Sequence, residues 1–162
     1  MTSQNKQTLF WTLAPMGVGM IVPSAIIFLL AVAVAHTGPL DAMADIVRKQ
    51  FAPGENLFFL SLLGLIPFAA LSLACFFASR HLPPMRLACV AVGGLVGILV
   101  LMVPGHVSVW YPLYGGGHQS STAVIAFVFI PFFCMPPLGI GLLVGWAVSL
   151  LPFARKSSAS TK

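Results

Sequence analysis

Four long uncharged stretches, separated by short polar segments, dominate the hydrophobic pattern of the chain. They cover residues 10–35, 57–79, 87–104 and 121–151. A helix needs about 20 apolar residues to cross a hydrocarbon core about 30 Å thick, and each stretch is close to that length or longer. The stretches do not alternate apolar and polar residues as barrel strands do. The pattern therefore predicts an all-α integral membrane protein, a four-helix transmembrane bundle over residues 10–154.

The first and last stretches contain residues that interrupt helical hydrogen bonding. Pro15 and Pro23 lie in the first stretch, and Pro131, Pro136 and Pro137 lie in the last. Because proline has no amide hydrogen, we expect a kinked first and a kinked last helix. Interrupted helices form solute sites in some transporters, but membrane helices also tolerate prolines without any such role. Both interpretations stay open.

The composition changes the expected surroundings of the chain from water to lipid. Hydrophobic residues make up 59% of the chain, charged residues only 7%, and the mean hydropathy is +1.00. Soluble domains have about a quarter of their residues charged, so a soluble fold is excluded and the lipid bilayer is the expected environment. The net charge of +5 comes from basic residues at the ends of segments, which does not indicate nucleic-acid binding.

The positions of the basic residues predict the orientation. One predicted side carries Lys6, Arg80, Arg86, Arg155, Lys156 and Lys162, whereas the other carries only Arg48 and Lys49. By the positive-inside rule, we expect an inner (plasma) membrane protein with a cytoplasmic N-terminus, residues 1–9, and a basic cytoplasmic tail, residues 155–162. The first stretch also resembles a secretory signal ending in small residues at 31–35, but its apolar core is longer than the usual 7 to 15 residues, which favours an uncleaved helix.

The first predicted outer loop has an amphipathic pattern. Apolar residues recur at helical spacing, and charged residues take the other side. The apolar set is Leu40, Met43, Ile46, Val47 and Phe51, and the charged set is Asp41, Asp45, Arg48 and Lys49. We therefore predict a short amphipathic helix that lies on the outer membrane surface or covers the mouth of the bundle.

A second outer loop is predicted over residues 105–120, and it contains Trp110, Tyr111 and Tyr114. Aromatic side chains with a polar edge favour the headgroup region, so these three can be interfacial anchors. Aromatic side chains also dominate the energy of protein interfaces, so the same residues are the candidate partner-binding surface.

Small residues at spacing four mark candidate helix-packing faces. Gly93 and Gly97 form one pair, and Gly141 and Gly145 form the other. Such pairs allow two backbones to approach closely, either inside one bundle or between copies of the chain, so a homo-oligomer stays open.

The histidines and cysteines are candidate metal or redox groups. The topology brings His36, His106 and His118 to the outer side, where they could bind a metal or a haem. They form no close ligand pair, so ordinary interfacial residues are favoured and no cofactor is expected. Three cysteines lie within or at the edge of apolar stretches and are interpreted as packing residues: Cys75, Cys89 and Cys134.

The four stretches contain no Asp, Glu, Lys or Arg. Coupled transport usually needs buried ionisable groups, and no catalytic motif occurs in the chain, so an enzyme is not expected. The leading hypothesis is association with another membrane or periplasmic protein, as an accessory subunit, assembly factor or immunity-type inhibitor. Passage or binding of an uncharged or lipid-like solute is the alternative, and a metal or haem protein is a lower alternative.

Overall fold

A computed structural model describes residues 3–48, 56–116 and 122–151. The described residues are helical and contain no strand. In chain order the helices are α1 (Ser3–Ala33), α2 (Pro39–Ile46), α3 (Asn56–Gly64), α4 (Ile66–Ala78), α5 (Pro84–Tyr114), α6 (Thr122–Phe133) and α7 (Met135–Ser149). Several residues used in the sequence predictions lie outside the described ranges: Lys49, Phe51, His118, Arg155, Lys156 and Lys162.

Four helical segments in the described part of the chain are long and apolar enough to cross a membrane. They are Asn5–Ala33, Ser61–Ala78, Pro84–Tyr114 and Phe127–Ser149. The sequence prediction of four spans is confirmed at this level of length and composition. The first and third segments are single helices, whereas α3 with α4 and α6 with α7 supply the second and the fourth.

Prolines account for the two divided segments. The second segment is divided at Leu65, two residues before Pro67, and the fourth is divided at Cys134, just before Pro136 and Pro137. Proline removes an amide donor, clashes with the carbonyl four residues earlier and disfavours helical geometry in the residue before it. Backbone bonds bridge each division, from Ala69 N to Leu65 O at 2.8 Å for example. The division at Leu65 was not expected from the sequence.

The prediction of a loop over residues 105–120 is wrong for residues 105–114, which are the last turns of α5. The predicted span ended at Pro104, yet α5 contains both Pro104 and Pro112 and continues to Tyr114. A proline inside a helix removes one hydrogen bond but need not end it when neighbouring helices pack around the site. Similarly, α1 begins at Ser3, so part of the predicted N-terminal tail is helical.

The long helix α5 is the centre of the bundle. It packs most extensively against α7 and also contacts α1, α4 and α6. Its buried side chains form the main core with residues of α4 and of the α6–α7 region. The fully buried members include Phe68, Leu71, Cys75, Leu87, Ala91, Ile98, Met102 and Cys134.

Four glycines, here called the glycine seam, form the contact between α5 and α7: Gly93, Gly97, Gly141 and Gly145. A methyl group added at Gly93 would overlap the carbonyl oxygen of Gly141, and one added at Gly141 would overlap that of Gly93. Gly97 faces the carbonyl oxygen of Pro137 in the same way. The two backbones therefore touch directly, as small residues at spacing four permit. This contact is made within one chain.

Candidate functional site

The three aromatic residues of the candidate partner surface point in different directions from the last turns of α5. Trp110 is only 5% exposed, Tyr111 is 54% exposed, and Tyr114 is partly buried. Residues four apart share a helix face, whereas adjacent residues are rotated by about 100°. Trp110 and Tyr114 therefore face the bundle together, and Tyr111 faces away from it.

An aromatic cluster lies between the inward face of α5 and helix α6. It consists of His106, Trp110 and Tyr114 of α5 and Phe127 of α6. Phe127 of α6 lies edge-on to both His106 and Trp110, with ring centroids 5.6 Å and 5.3 Å apart. The rings of Trp110 and Tyr114 are 6.3 Å apart. These distances are in the range of favourable aromatic pairs.

Apolar residues from two further helices close around the aromatic cluster. Ile27 of α1 and Ile46 of α2 are 2% and 5% exposed and belong to the same packed group as Trp110 and Phe127. The cluster thus lies where α1, α2, α5 and α6 meet. We call this part of the molecule the α2 end of the bundle. A methyl group on Gly115 would contact Val34, so the C-terminal ends of α1 and α5 lie at this same end.

The two described candidate histidines occupy different environments. His106 is buried, and its Nδ1 lies 3.0 Å from the carbonyl oxygen of Met102, to which it donates a hydrogen bond. His36 is exposed in the turn after α1 and adopts a left-handed φ of 52°. Within the described ranges, no three His, Cys, Asp or Glu side chains come together as a metal-binding group.

Two hydrogen-bond donors of the aromatic cluster are buried without a partner among the described residues: Trp110 Nε1 and Tyr114 Oη. The same is true of Ser72 Oγ on α4. A serine hydroxyl can reach a carbonyl of its own helix by rotating, as Thr12 and Ser24 do here at 3.0 Å. The indole nitrogen and the phenol oxygen are too far from their own backbone to do so.

The short helix α2 has one buried and one exposed apolar side. Ala42 and Ile46 are buried against the bundle. Leu40, Met43 and Val47 are 86%, 53% and 57% exposed, and they follow one another at helical spacing.

Two acids lie beside this exposed side. Asp41 is exposed, whereas Asp45 is partly buried and close enough to Tyr114 for an electrostatic interaction. Asp45 therefore belongs to α2 and also acts electrostatically on Tyr114, at the edge of the aromatic cluster.

Sequence reasoning missed the aromatic cluster, although part of its signal was visible. His106, Trp110 and Tyr114 recur at spacing four, which indicates one helix face. The pattern was not used because these residues were assigned to a loop. The contributions of Phe127 and Asp45 depend on tertiary packing, for which the sequence has no local signal.

All three cysteines are free thiols. Cys75 and Cys134 are buried, and the Cys134 thiol lies 3.8 Å from the carbonyl oxygen of Ile98. Cys89 is partly exposed, and its carbonyl oxygen faces Gly145. The thiols thus lie at helix contacts.

Comparison of the chain with protein-family models, with curated proteins and with solved structures gives no match.

Proposed function

We propose that the chain is a multi-pass inner-membrane protein with both termini in the cytoplasm, and that it acts by binding another protein at its α2 end. The four apolar segments support insertion into a bilayer. The excess of Lys and Arg on the side opposite α2 supports the orientation. In this orientation α2 lies at the outer membrane surface.

The exposed apolar side of α2 is the observation that carries this proposal. Leu40, Met43 and Val47 form it, while the other apolar side already packs on the bundle. Exposed apolar residues on a short helix, bordered by charges, are typical of a groove-binding surface. Tyr111, exposed at the same end, provides an aromatic contact.

The charges beside the apolar side favour a protein partner over lipid headgroups. Helices that lie in a membrane interface are usually rich in Lys and Arg, which attract anionic lipids. Helix α2 instead contains Asp41 and Asp45 and no basic residue within Pro39–Ile46, and the exposed Arg48 follows two residues after its end. We therefore expect the partner to present an apolar groove bordered by basic residues.

Site-specific photo-crosslinking in native membranes tests this proposal. A photoreactive amino acid at Leu40 or at Met43 is expected to give an adduct with one and the same protein, cross-linked through a segment containing Lys or Arg. The exposed charge variant Asp41→Lys should abolish that adduct, because it places like charges opposite each other. Mass spectrometry of the adduct identifies the cross-linked peptide.

The matched control is the same photoreactive residue at Leu143 of α7, which is 68% exposed and distant from α2 in the chain. It should react with lipid and not with the protein found from Leu40. The proposal is overturned if both α2 positions react only with lipid, if they react with a second copy of this chain, or if Leu143 captures the same protein equally well.

A further inference from the structure

We infer that the aromatic cluster binds an uncharged, carbonyl-bearing amphiphile whose oxygen atoms accept hydrogen bonds from Trp110 and Tyr114. Both donors are buried without a partner in the described part of the chain. They project from one face of α5, one helical turn apart. This inference does not depend on the proposed partner surface, which uses the opposite side of α2.

The indole nitrogen of Trp110 and the phenol oxygen of Tyr114 need hydrogen-bond acceptors. A buried donor without an acceptor is costly, so buried polar groups in native proteins are nearly always paired. Trp110 is 5% exposed, and Phe127 packs against its ring at 5.3 Å. The indole cannot therefore turn toward solvent without breaking the packing of the cluster. An acceptor from outside the described residues would pair both donors, and a bound ligand can supply it.

The surroundings of the donors favour an uncharged molecule. An anion would accept both hydrogen bonds, but the negative charge of Asp45, which acts on Tyr114, would disfavour it. A cation has no lone pair for the two donors. The remaining lining is apolar, with Ile27 and Ile46 among its most buried members.

A carbonyl oxygen fits the two donors better than a water molecule does. A water that accepts from both Trp110 and Tyr114 must donate its own two hydrogens, and a buried water typically makes about three hydrogen bonds. The ring of Phe127 and the isoleucine side chains offer no acceptor, so among the described neighbours only Asp45 and the second ring nitrogen of His106 could receive those hydrogens. A carbonyl oxygen has two lone pairs and no hydrogen to satisfy, and its apolar substituent matches the lining.

Binding can be measured with Trp110 as its own reporter. The full chain carrying Trp11→Phe and Trp146→Phe is reconstituted in vesicles of ether-linked phospholipids, which have no ester carbonyl. A short-chain alkyl benzoquinone and a diacylglycerol are the two carbonyl probes, and a dialkylglycerol ether is the carbonyl-free control. We expect a saturable change in Trp110 emission and in the indole N–H Raman band. The probe that saturates identifies a quinone-type or an ester-type ligand.

Two matched tyrosine variants test the contacts. Tyr114→Phe removes only the buried hydroxyl and should weaken binding about tenfold, the effect of one hydrogen bond. Tyr111→Phe removes an exposed hydroxyl from the adjacent residue and should leave binding unchanged. A chain whose only tryptophan is Trp146 reports collisional effects in the bilayer, which should not saturate. Circular dichroism verifies that each variant is folded.

Three results would overturn the inference. The first is no saturable response to either carbonyl probe. The second is an equal response to the dialkylglycerol ether. The third is an indole N–H of Trp110 that is already hydrogen-bonded in ether-lipid vesicles without any probe, which would show that water alone fills the role. All three readouts are independent of the cross-linking at Leu40.

Discussion

The glycine seam and the aromatic cluster are both on α5, yet they pack in opposite ways. At the seam the two backbones are in contact, and a methyl group added at Gly93 or Gly141 would overlap the backbone of the other helix. At the cluster, large rings pack between four helices, and two polar atoms have no partner among the described residues. The seam contains no polar side chain at all.

This difference separates a structural contact from a candidate binding site. The seam gains from close van der Waals packing of two backbones. The cluster keeps two donors whose burial without a partner costs free energy. Features of that kind are concentrated at functional sites.

The largest expected effect comes from removing the central ring of the aromatic cluster. Trp110→Ala should lower the free energy of unfolding by about 3–5 kcal/mol, because it removes a buried ring and leaves a cavity. Trp146→Ala is the control, since Trp146 is 51% exposed; it should change stability by less than about 0.5 kcal/mol. Unfolding in detergent, followed by circular dichroism, measures both. Equal losses would mean that the cluster is not a packed core.

The next effect tests the seam. Gly141→Ala should destabilise the protein by about 1–3 kcal/mol, because the new methyl group meets the backbone of α5. The same substitution at Gly139, two residues earlier on α7, meets no neighbouring atom within 4 Å. Gly139→Ala should therefore be neutral or stabilising by up to about 1 kcal/mol. Equal stability of the two variants in the same unfolding assay would contradict the described contact of α5 with α7.

The smallest expected effect is a gain in stability at the aromatic cluster, opposite in sign to the two losses above. In ether-lipid vesicles without a carbonyl probe, Tyr114→Phe should stabilise the fold by about 1 kcal/mol, because it removes an unpaired buried hydroxyl. Tyr111→Phe, at an exposed position, should stay within about 0.5 kcal/mol of the parent. Thermal unfolding of the two variants side by side provides the measurement. A destabilised Tyr114→Phe would mean that the hydroxyl is already hydrogen-bonded.

Hydrophobic length made the four apolar segments predictable, because each needs only enough consecutive apolar residues to cross a bilayer. The boundaries were less predictable. The sequence predicts that the third span ends at Pro104, but α5 continues through this exposed proline to Tyr114. At Leu65 the opposite occurred: one proline two residues later divides the helical segment. The effect of a proline thus depends on packing that a single sequence does not show.

The candidate site shows the same limit at the level of single side chains. Trp110, Tyr111 and Tyr114 were identified from their chemistry, but assigning them to a loop gave them a common outward orientation. In a helix, the positions 110 and 114 turn inward while 111 turns outward. Phe127 and Asp45 approach them from other helices, and no spacing along the chain records that approach.

The glycine seam also has a consequence for the order in which the protein is built. During synthesis α5 leaves the ribosome before α7. The surface of α5 at Gly93 and Gly97 therefore stays uncovered until α7 is made. Until then this surface is open to lipid or to any other helix with a small-residue face. The packing of α7 on α5 is therefore expected to be the closing step of assembly, because it covers these glycines.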